Sequence, residues 1–244
     1  DFASLYPSII QAHNLCYSTL IPHEEIHRHP NLTPEDFDTF HISSGPVHFV
    51  KKHVTYSLLS RLLATWLAKR KAIRRELSGC SDPQLKTILD KQQLAIKVTC
   101  NAVYGFTGVA SGLLPCLKIA ETVTSQGRCM LERSKKFIEA INHSKLEELI
   151  GRAVPDTCEN ADFRVVYGDT DSLFIECRGY SLDSVTNFCD ALASITSNTL
   201  FMEPIKLEAE KTFKCLLLPT KKRYIGILSN DKILMKGVDL VSKT

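Results

Sequence analysis

The segment VYGDTDSLF, residues 166–174, places two aspartates at a tight reversal between apolar runs. It forms the middle of FRVVYGDTDSLFIEC, residues 163–177, in which β-branched and aromatic side chains flank the polar centre. Such runs predict strands, and Gly and Asp favour the turn between them. Asp169 and Asp171 then point into one small volume, where two carboxylates repel each other unless one is protonated or a cation bridges them. The hairpin is therefore either an ordinary acidic turn or a cation site.

The residues after the two acids restrict the kind of cation. A calcium-binding EF-hand loop needs further oxygen ligands and a glycine at the next spacings, where Leu173 and Phe174 stand. That class of site is excluded. A hard cation held by two or three carboxylates keeps several waters and binds substrate phosphate, which is typical of magnesium. A third acid, Asp1, opens the stretch DFASLYPSII, and the question is whether it joins the same site.

The composition indicates a globular protein and leaves the partner open. The 244 residues are 44% hydrophobic and 23% charged, and the net charge of +3 is too small to identify a binding partner. Nine cysteines without a CxxC pair argue against a disulfide framework and a zinc ribbon, so we expect reduced thiols and an intracellular protein. No apolar run approaches the ~20 residues that span a bilayer, so no membrane partner is expected. The missing initial methionine is expected of either an excised domain or a partial sequence.

The apolar spacing predicts mainly helices, with strands at the acidic hairpin and near the end. Spacings of three and four predict helices over 56–77 and 84–104, joined by SGCSDP as an antiparallel hairpin. The apolar side of the second is expected to carry Leu85, Ile88, Leu89, Ala95 and Val98. Further helices are predicted over 117–150 and 181–200. Because strands and helices do not alternate as βαβ units, the fold class is predicted to be α+β.

Residues 23–53 stand apart from this pattern. They hold six of the eight histidines and show little periodicity. We interpret them as a solvated insertion or long surface loop, with a histidine metal site as the less favoured alternative. Beyond residue 205, KTFKCLLLPTKKRYIGILSNDKILMKGVDL predicts short strands with turns at SND and KG.

Two groups of bases lie on the predicted helical hairpin. KRKAIRR, residues 69–75, has five cations in seven positions, and Arg70 and Arg74 share one helix face. Like charges so placed repel, so an anion is expected between them, and guanidinium groups suit a triphosphate. The second helix carries a cation, an amide, an aromatic and a small residue along one stripe: Lys97, Asn101, Tyr104 and Gly108. Facing stripes of this kind predict a phosphate-binding cleft, and a solvated basic face is the alternative.

A third basic group lies near the end of the chain. TKKRYIG contains Lys221, Lys222, Arg223 and Tyr224, with Lys236 beyond. Basic residues beside an aromatic residue suit a nucleic acid, because its phosphate backbone attracts cations and its nucleobases stack on aromatic rings. An ordinary charged turn is the alternative.

Taken in order, the quoted motifs resemble those of family B DNA polymerases. DFASLYPSII (1–10), KVTCNAVYGFTG (97–108) and VYGDTDSLF (166–174) resemble that family's three polymerase motifs. KKRYIG (221–226) resembles its primer-gripping motif, and KGVDLV (236–241) a later one. The resemblance covers essentially the whole chain. The residues of these motifs most resemble those of herpesvirus members of the family, and among herpesviruses the gamma group is the favoured source.

The resemblance implies a division of the chain into the parts of a polymerase. Residues 1–53 are expected to form the first part of the palm with a His-rich insertion. Residues 54–108 would be the fingers hairpin, 109–205 the rest of the palm with the GDTD hairpin, and 206–244 the end of the palm and the start of the thumb. The family's antiparallel palm sheet with helices agrees with the α+β class.

The resemblance also assigns a metal site. Asp1 and Asp171 would hold two Mg²⁺ ions, helped by the backbone carbonyl of Phe2. Asp169 would be a secondary, mostly electrostatic member of the catalytic set. Paired metals of this kind are expected ~3.5–4 Å apart.

The remaining family roles fall on the basic groups and on the first motif. The triphosphate would be held by three finger cations and two backbone N–H groups: Arg70, Arg74, Lys97, Ser4 and Leu5. Asn101 would lie near the incoming deoxynucleotide, and Tyr6, packed by Tyr104, would be the steric gate that rejects the ribose 2′-hydroxyl. The primer DNA would be held by residues of the hairpin and of the last basic group: Tyr167, Gly168, Lys222, Arg223, Tyr224 and Lys236.

The resemblance has one departure and several implied partners. Ser242 stands where the family pattern leads us to expect arginine, which puts one phosphate or structural contact in doubt. Primer–template DNA, deoxynucleoside triphosphates and a viral processivity subunit, bound elsewhere on the full-length enzyme, are the expected partners, and the host nucleus the expected location. No exonuclease motif occurs here. Because the palm strand before Asp1 and most of the thumb are missing, this stretch is not expected to polymerise alone.

Two other classes of function compete with this interpretation. A reverse-transcriptase-like nucleotidyltransferase is disfavoured, because such enzymes lack the stripe in KVTCNAVYG. A non-catalytic nucleic-acid-binding module with the same fold would be expected to lose at least one metal carboxylate. Asp1, Asp169 and Asp171 are all present.

Overall fold

The computed structural model describes residues 1–155 and 157–238 and confirms the α+β class, with helices packed beside antiparallel sheets. The chain divides into two compact units. The helical unit consists of Ser4–Cys129 with Glu203–Ile205. The sheet unit consists of Asp1–Ala3, Met130–Met202 and the described residues from Lys206 onward.

The helical unit begins with a short helix, followed by a small sheet and a long helical hairpin. Its elements are α1 (Leu5–Ala12), β1 (Leu20–Pro22), a 3₁₀ helix (His23–Arg28), β2 (Phe37–Ile42), β3 (Gly45–Val50), α2 (Leu58–Gly79), α3 (Pro83–Gly108) and the start of α4 (Leu117–Glu139). The sheet is antiparallel with the order β1-β3-β2.

The helical hairpin forms where the apolar spacing predicts it. The Ser57 side chain accepts from the Ser60 N–H and caps α2, and Asp82 caps α3 in the same way, with Pro83 in the first turn. Leu63 of α2 and Leu89 of α3 are buried. The expected apolar side of α3 is only partly correct, because Ile88 and Val98 are more than half exposed.

The expectation of a solvated insertion or long loop over residues 23–53 is only partly correct. About half of its residues are exposed, but β2 and β3 lie within the segment and pair in the three-stranded sheet, in which Val47 and Phe49 are fully buried. His48 is buried as well, with ring nitrogens 2.8 Å from His23 Nδ1 and 2.8 Å from Thr39 Oγ1. Burial lowers the pKa of His48, and the charges of His23 and His41 lower it further. His48 is thus a buried residue of the sheet, which a search for apolar alternation does not detect.

The sheet unit holds the acidic hairpin. Its elements are the end of α4, α5 (His143–Ile150), β4 (Thr157–Asp169), β5 (Ser172–Tyr180), α6 (Leu182–Leu200), β6 (Phe213–Thr220), β7 (Arg223–Leu228) and β8 (Ile233–Lys236). β4 pairs with β5, and β6, β7 and β8 form a three-stranded antiparallel sheet.

The single helix predicted over 117–150 is in fact two helices. Asn142 interrupts it by capping α5, with its Oδ1 accepting from the Lys145 N–H at 2.9 Å. The predicted hairpin at 163–177, the helix over 181–200 and the short strands after residue 205 are confirmed. None of the described helices combines the length and apolar character that crossing a membrane requires.

Candidate active site

Backbone pairing brings the first residues of the chain to the acidic hairpin. The Phe2 N–H donates to the Asp171 carbonyl at 2.8 Å, and the Ala3 N–H donates to the Lys206 carbonyl at 2.9 Å. The Glu208 N–H in turn donates to the Asp1 carbonyl at 2.8 Å. Residues 1–3 therefore lie between 206–208 on one side and the β4–β5 turn on the other.

The Asp1 and Asp171 side chains meet at one hydroxyl. Ser172 Oγ lies 3.1 Å from Asp1 Oδ2 and 3.4 Å from Asp171 Oδ1. Both carboxylates are thus within hydrogen-bonding reach of a single donor, so Asp1 does join the acidic hairpin. Ser172 was missed at the level of sequence. Its only signal there is its place directly after the second aspartate of the turn.

Asp169 is engaged elsewhere in the same turn. Its Oδ1 lies 3.1 Å from Lys222 Nζ and 3.2 Å from Thr170 Oγ1. Thr170 adopts a left-handed backbone conformation, with φ of 48°, which closes the reversal. Within residues 1–155 and 157–238, no three His, Cys, Asp or Glu side chains are grouped as metal ligands. The structure thus shows a pair of carboxylates, Asp1 and Asp171, while Asp169 forms an ion pair with the ammonium group of Lys222.

The last basic group is docked on the acidic hairpin. The Lys222 N–H donates to the Tyr167 hydroxyl at 2.9 Å, and Lys222 has a left-handed φ of 64° at the β6–β7 turn. The Phe174 ring contacts the rings of Tyr167 and Tyr224, with centroids 5.5 and 5.2 Å apart. These contacts join two motifs that are separated by about fifty residues in the sequence.

The other predicted primer-binding residues lie on strands β4, β7 and β8. Gly168 faces Leu173 across the β4–β5 pair, and Lys236 of β8 pairs with Tyr224 of β7. Arg223, at the start of β7, is exposed. Ser242, with the part of KGVDLV that comes after Val238, lies outside the described residues.

Within the helical unit, two of the predicted nucleotide-binding aromatics are in contact. The rings of Tyr6 on α1 and Tyr104 on α3 lie 4.3 Å apart between centroids, tilted by 38°. Ser4 precedes α1 with a left-handed φ of 52°. The Leu5 N–H belongs to the first turn of α1, where backbone donors have no partner within the helix.

The predicted cations of the helical hairpin differ in their surroundings. Arg70 Nε donates to Gln93 Oε1 of α3 at 3.3 Å, and Arg70 is half-buried. Burial raises the pKa of the Cys100 thiol on α3, and the charge of Arg70 partly offsets that effect. Arg74, Lys97 and Asn101 are exposed. Gln93 was missed at the level of sequence, although it lies one helical turn before Lys97.

The comparisons with known proteins agree with these motifs. The family model described as DNA polymerase family B matches residues 1–244. The chain is 70% identical over 244 residues to the DNA polymerase catalytic subunit of human herpesvirus 8 type P (isolate GK18), and 70% identical over 244 residues to that of saimiriine herpesvirus 2 (strain 11). It is 62% identical over 249 residues to that of Epstein-Barr virus (strain B95-8).

Each of these alignments covers the whole chain but only 24% of the relative. The predicted resemblance to herpesvirus members of the family, and to gammaherpesviruses among them, is confirmed. The chain belongs to DNA polymerase family B.

Proposed function

We propose that this chain is part of the catalytic centre of a viral DNA polymerase. The longer enzyme would add deoxynucleotides to a primer 3′-hydroxyl as a template directs. The observation that carries this proposal is the meeting of Asp1 and Asp171 at the Ser172 hydroxyl, in a chain that belongs to family B. In this enzyme, residues 1–53 and 109–205 would belong to the palm, residues 54–108 to the fingers, and residues 206–244 to the end of the palm and the start of the thumb.

The donor set fits magnesium. Asp1 and Asp171 offer carboxylate oxygens, and no thiolate or imidazole accompanies them among the described groups near the turn. The Phe2 N–H faces Asp171, and since the N–H and C=O of an extended residue point to the same side, the Phe2 carbonyl faces the turn as well. Two carboxylates and a carbonyl suit Mg²⁺, which completes its shell with water and substrate phosphate. When bound, two Mg²⁺ ions would supply activation of the primer hydroxyl and neutralisation of the triphosphate charge.

The reaction itself is a displacement at phosphorus. The primer 3′-oxygen forms a bond to the α-phosphorus, the bond from that phosphorus to the bridging oxygen breaks, and pyrophosphate leaves. The protein has little covalent work to do, so alignment and charge stabilisation carry the acceleration.

The triphosphate would be bound by residues of the helical unit. Arg70 and Arg74 supply guanidinium groups, Lys97 an ammonium, and Asn101 an amide near the nucleotide. The Gln93 contact holds Arg70 in place on the hairpin. The N–H groups of Ser4 and Leu5, at the start of α1, favour phosphate oxygens as helix N-termini do.

The primer would be bound by the docked turn of the sheet unit. Tyr167 fixes the backbone of Lys222, which sets the Lys222–Tyr224 turn on the hairpin that carries the acids. Gly168, Arg223 and Lys236 lie on the paired strands of the same unit. Asp169, paired with Lys222, contributes negative charge without being a metal ligand.

The activity is proposed for the longer protein, since the chain spans 24% of its relatives. We further propose that this stretch alone does not polymerise, that a processivity subunit binds other parts of the enzyme, and that the enzyme works in the host nucleus.

An Asp171→Asn exchange in the full-length polymerase tests this function. The variant keeps the size of the side chain but removes a metal-binding charge, so nucleotide incorporation should fall below detection while primer–template binding remains. Asp183→Asn, an exposed acid in the first turn of α6, is the matched control and should leave incorporation unchanged. Normal incorporation by Asp171→Asn would refute the proposal.

A further inference from the structure

The Ser172 hydroxyl is placed by the backbone of the hairpin. Ser172 is the first residue of β5 and pairs with Asp169, the last residue of β4. Its Oγ lies between Asp1 Oδ2 at 3.1 Å and Asp171 Oδ1 at 3.4 Å. All of these groups belong to the sheet unit, and Ser172 is half-buried.

The Ser172 hydroxyl and the two carboxylates form an arrangement with one hydrogen-bond donor and two acceptors. Ionised carboxylates only accept hydrogen bonds, and the hydroxyl has a single proton to donate. The proton can serve Asp1 or Asp171 at any moment, and each bond that it forms is charge-assisted. Two neighbouring carboxylates repel each other, and a donor between them offsets part of that repulsion.

We propose that Ser172 is a positioning residue that holds the Asp1 and Asp171 carboxylates at the separation and orientation that divalent cations require. The inference rests on the proposed function, because it assumes that these two acids bind the metals. Without the hydroxyl, the acids turn away from each other and the pair binds cations less tightly.

The test replaces Ser172 by Ala in the full-length polymerase and measures cation binding directly. Free Mn²⁺ is followed by electron paramagnetic resonance during titration of the enzyme without nucleotide. Loss of a hydrogen-bond partner of metal-binding side chains costs 10–100-fold in affinity, so the dissociation constant should rise about tenfold. The Mg²⁺ concentration that gives half-maximal incorporation should rise by a similar factor, while incorporation at saturating Mg²⁺ and primer binding stay close to wild type.

Two further variants separate the hydroxyl from the fold. Ser172→Thr keeps a hydroxyl on Cβ and should restore the Mn²⁺ affinity. Thr170→Ala removes a hydroxyl from the same turn that contacts Asp169 instead of the pair, and it should bind Mn²⁺ as the wild type does. Circular dichroism verifies that each variant is folded.

The outcomes distinguish this inference from the function on which it rests. If Asp171→Asn loses Mn²⁺ binding but Ser172→Ala keeps the wild-type affinity and Mg²⁺ dependence, the role of Ser172 is overturned and the proposed function stands. A folded Ser172→Thr that fails to restore affinity overturns it too. So does a Ser172→Ala whose incorporation falls at saturating Mg²⁺ with no change in Mg²⁺ dependence. If Asp171→Asn binds Mn²⁺ normally, the metal assignment itself fails.

Discussion

At the scale of single residues, a few polar side chains satisfy several backbone groups at once. Asn14 is almost fully buried and has a left-handed φ of 54°. Its Nδ2 donates to the Val50 carbonyl at 2.8 Å and to the Thr55 carbonyl at 2.7 Å, and its Oδ1 accepts from the Ser57 N–H at 3.0 Å. One amide thereby ties the end of β3 to the start of α2.

Asn14→Ala should strongly destabilise the chain. The exchange leaves two carbonyls and one N–H without this partner in a largely buried place, and each unsatisfied group costs about 1–3 kcal/mol. We expect the free energy of unfolding to fall by ~3 kcal/mol or more, measured by urea denaturation of the 244-residue chain. Gln92→Ala, at an exposed position of α3, should change it by less than ~0.5 kcal/mol. A loss below about 1 kcal/mol at Asn14 would contradict this account.

Tyr6 gives a second prediction at this scale, one of substrate choice. Its ring is held against Tyr104, so under the proposed function it is a fixed wall beside the sugar. Tyr6→Ala should let the polymerase accept ribonucleotides about tenfold or more readily, equivalent to ~1.4 kcal/mol of discrimination. The ratio of kcat/KM for deoxynucleotides and ribonucleotides measures this. Tyr6→Phe keeps the ring and should keep the ratio. An unchanged ratio in Tyr6→Ala would contradict the proposed role of Tyr6 as a steric gate.

At the scale of elements, the β6–β7 pair shows how a glycine, which has no side chain, makes room for a neighbouring aromatic ring. Gly226 of β7 is buried beneath the Phe213 ring of β6, and Leu216 lies beside it. A Cβ at Gly226 would collide with the Phe213 ring carbons. The ring takes the volume that a side chain would otherwise fill, so this strand pair depends on glycine here.

Gly226→Ala should therefore destabilise the sheet unit by about 1–3 kcal/mol, the usual cost of overpacking. Gly79→Ala is the matched control, because the last residue of α2 has no atom within 4 Å of an added Cβ. Alanine there favours the helix and should leave stability unchanged or raise it by up to ~1 kcal/mol. Thermal or urea unfolding of both variants measures the difference, and equal stabilities would contradict the packing argument.

Elements defined by local chemistry were predictable, and elements defined by distant partners were not. The apolar spacing and the break at SGCSDP predict the hairpin within a few residues, and in the structure Ser57 and Asp82 cap its two helices. The apolar spacing of α3 could not show which face meets α2, and Val98 is exposed while Leu89 is buried. The sheet of β1, β2 and β3 was missed because its core includes His48, whose burial depends on non-local hydrogen bonds.

The candidate site was predictable to a similar degree. Asp1, Asp169 and Asp171 were identified from the residue types and the family resemblance. The different surroundings of the three acids could not be predicted. They depend on Ser172 and on Lys222, which come close to the acids only when the chain folds. Nothing in the spacing of the sequence shows that the β6–β7 turn meets the Tyr167 hydroxyl.

At the scale of the whole molecule, the thiols report on the folded state. The nine cysteines are free, with Cys16 and Cys100 buried and Cys129, Cys158 and Cys215 exposed. Burial raises the pKa of Cys177 to about 12, with smaller contributions from Cys189 and Glu176. The reactive thiolate is therefore scarce at that position at neutral pH.

Alkylation of the native chain with iodoacetamide should proceed in this order. Cys129, Cys158 and Cys215 should be modified first, and Cys16, Cys100 and Cys177 only slowly, as monitored by peptide mass spectrometry. In urea all nine should react at similar rates, which is the control for intrinsic reactivity. Fast modification of Cys16 or Cys100 in the native chain would contradict the described core.

The two-sided pairing of residues 1–3 has a consequence for hydrogen–deuterium exchange. The Phe2 and Ala3 amides are neighbours, but the first faces the acidic turn and the second faces Lys206. Deuterium uptake at Phe2 therefore reports when the acidic turn separates from residues 1–3, whereas uptake at Ala3 reports when residues 1–3 separate from residues 206–208. Two adjacent probes can thus distinguish loosening of the acidic turn from opening of the pairing on the other side.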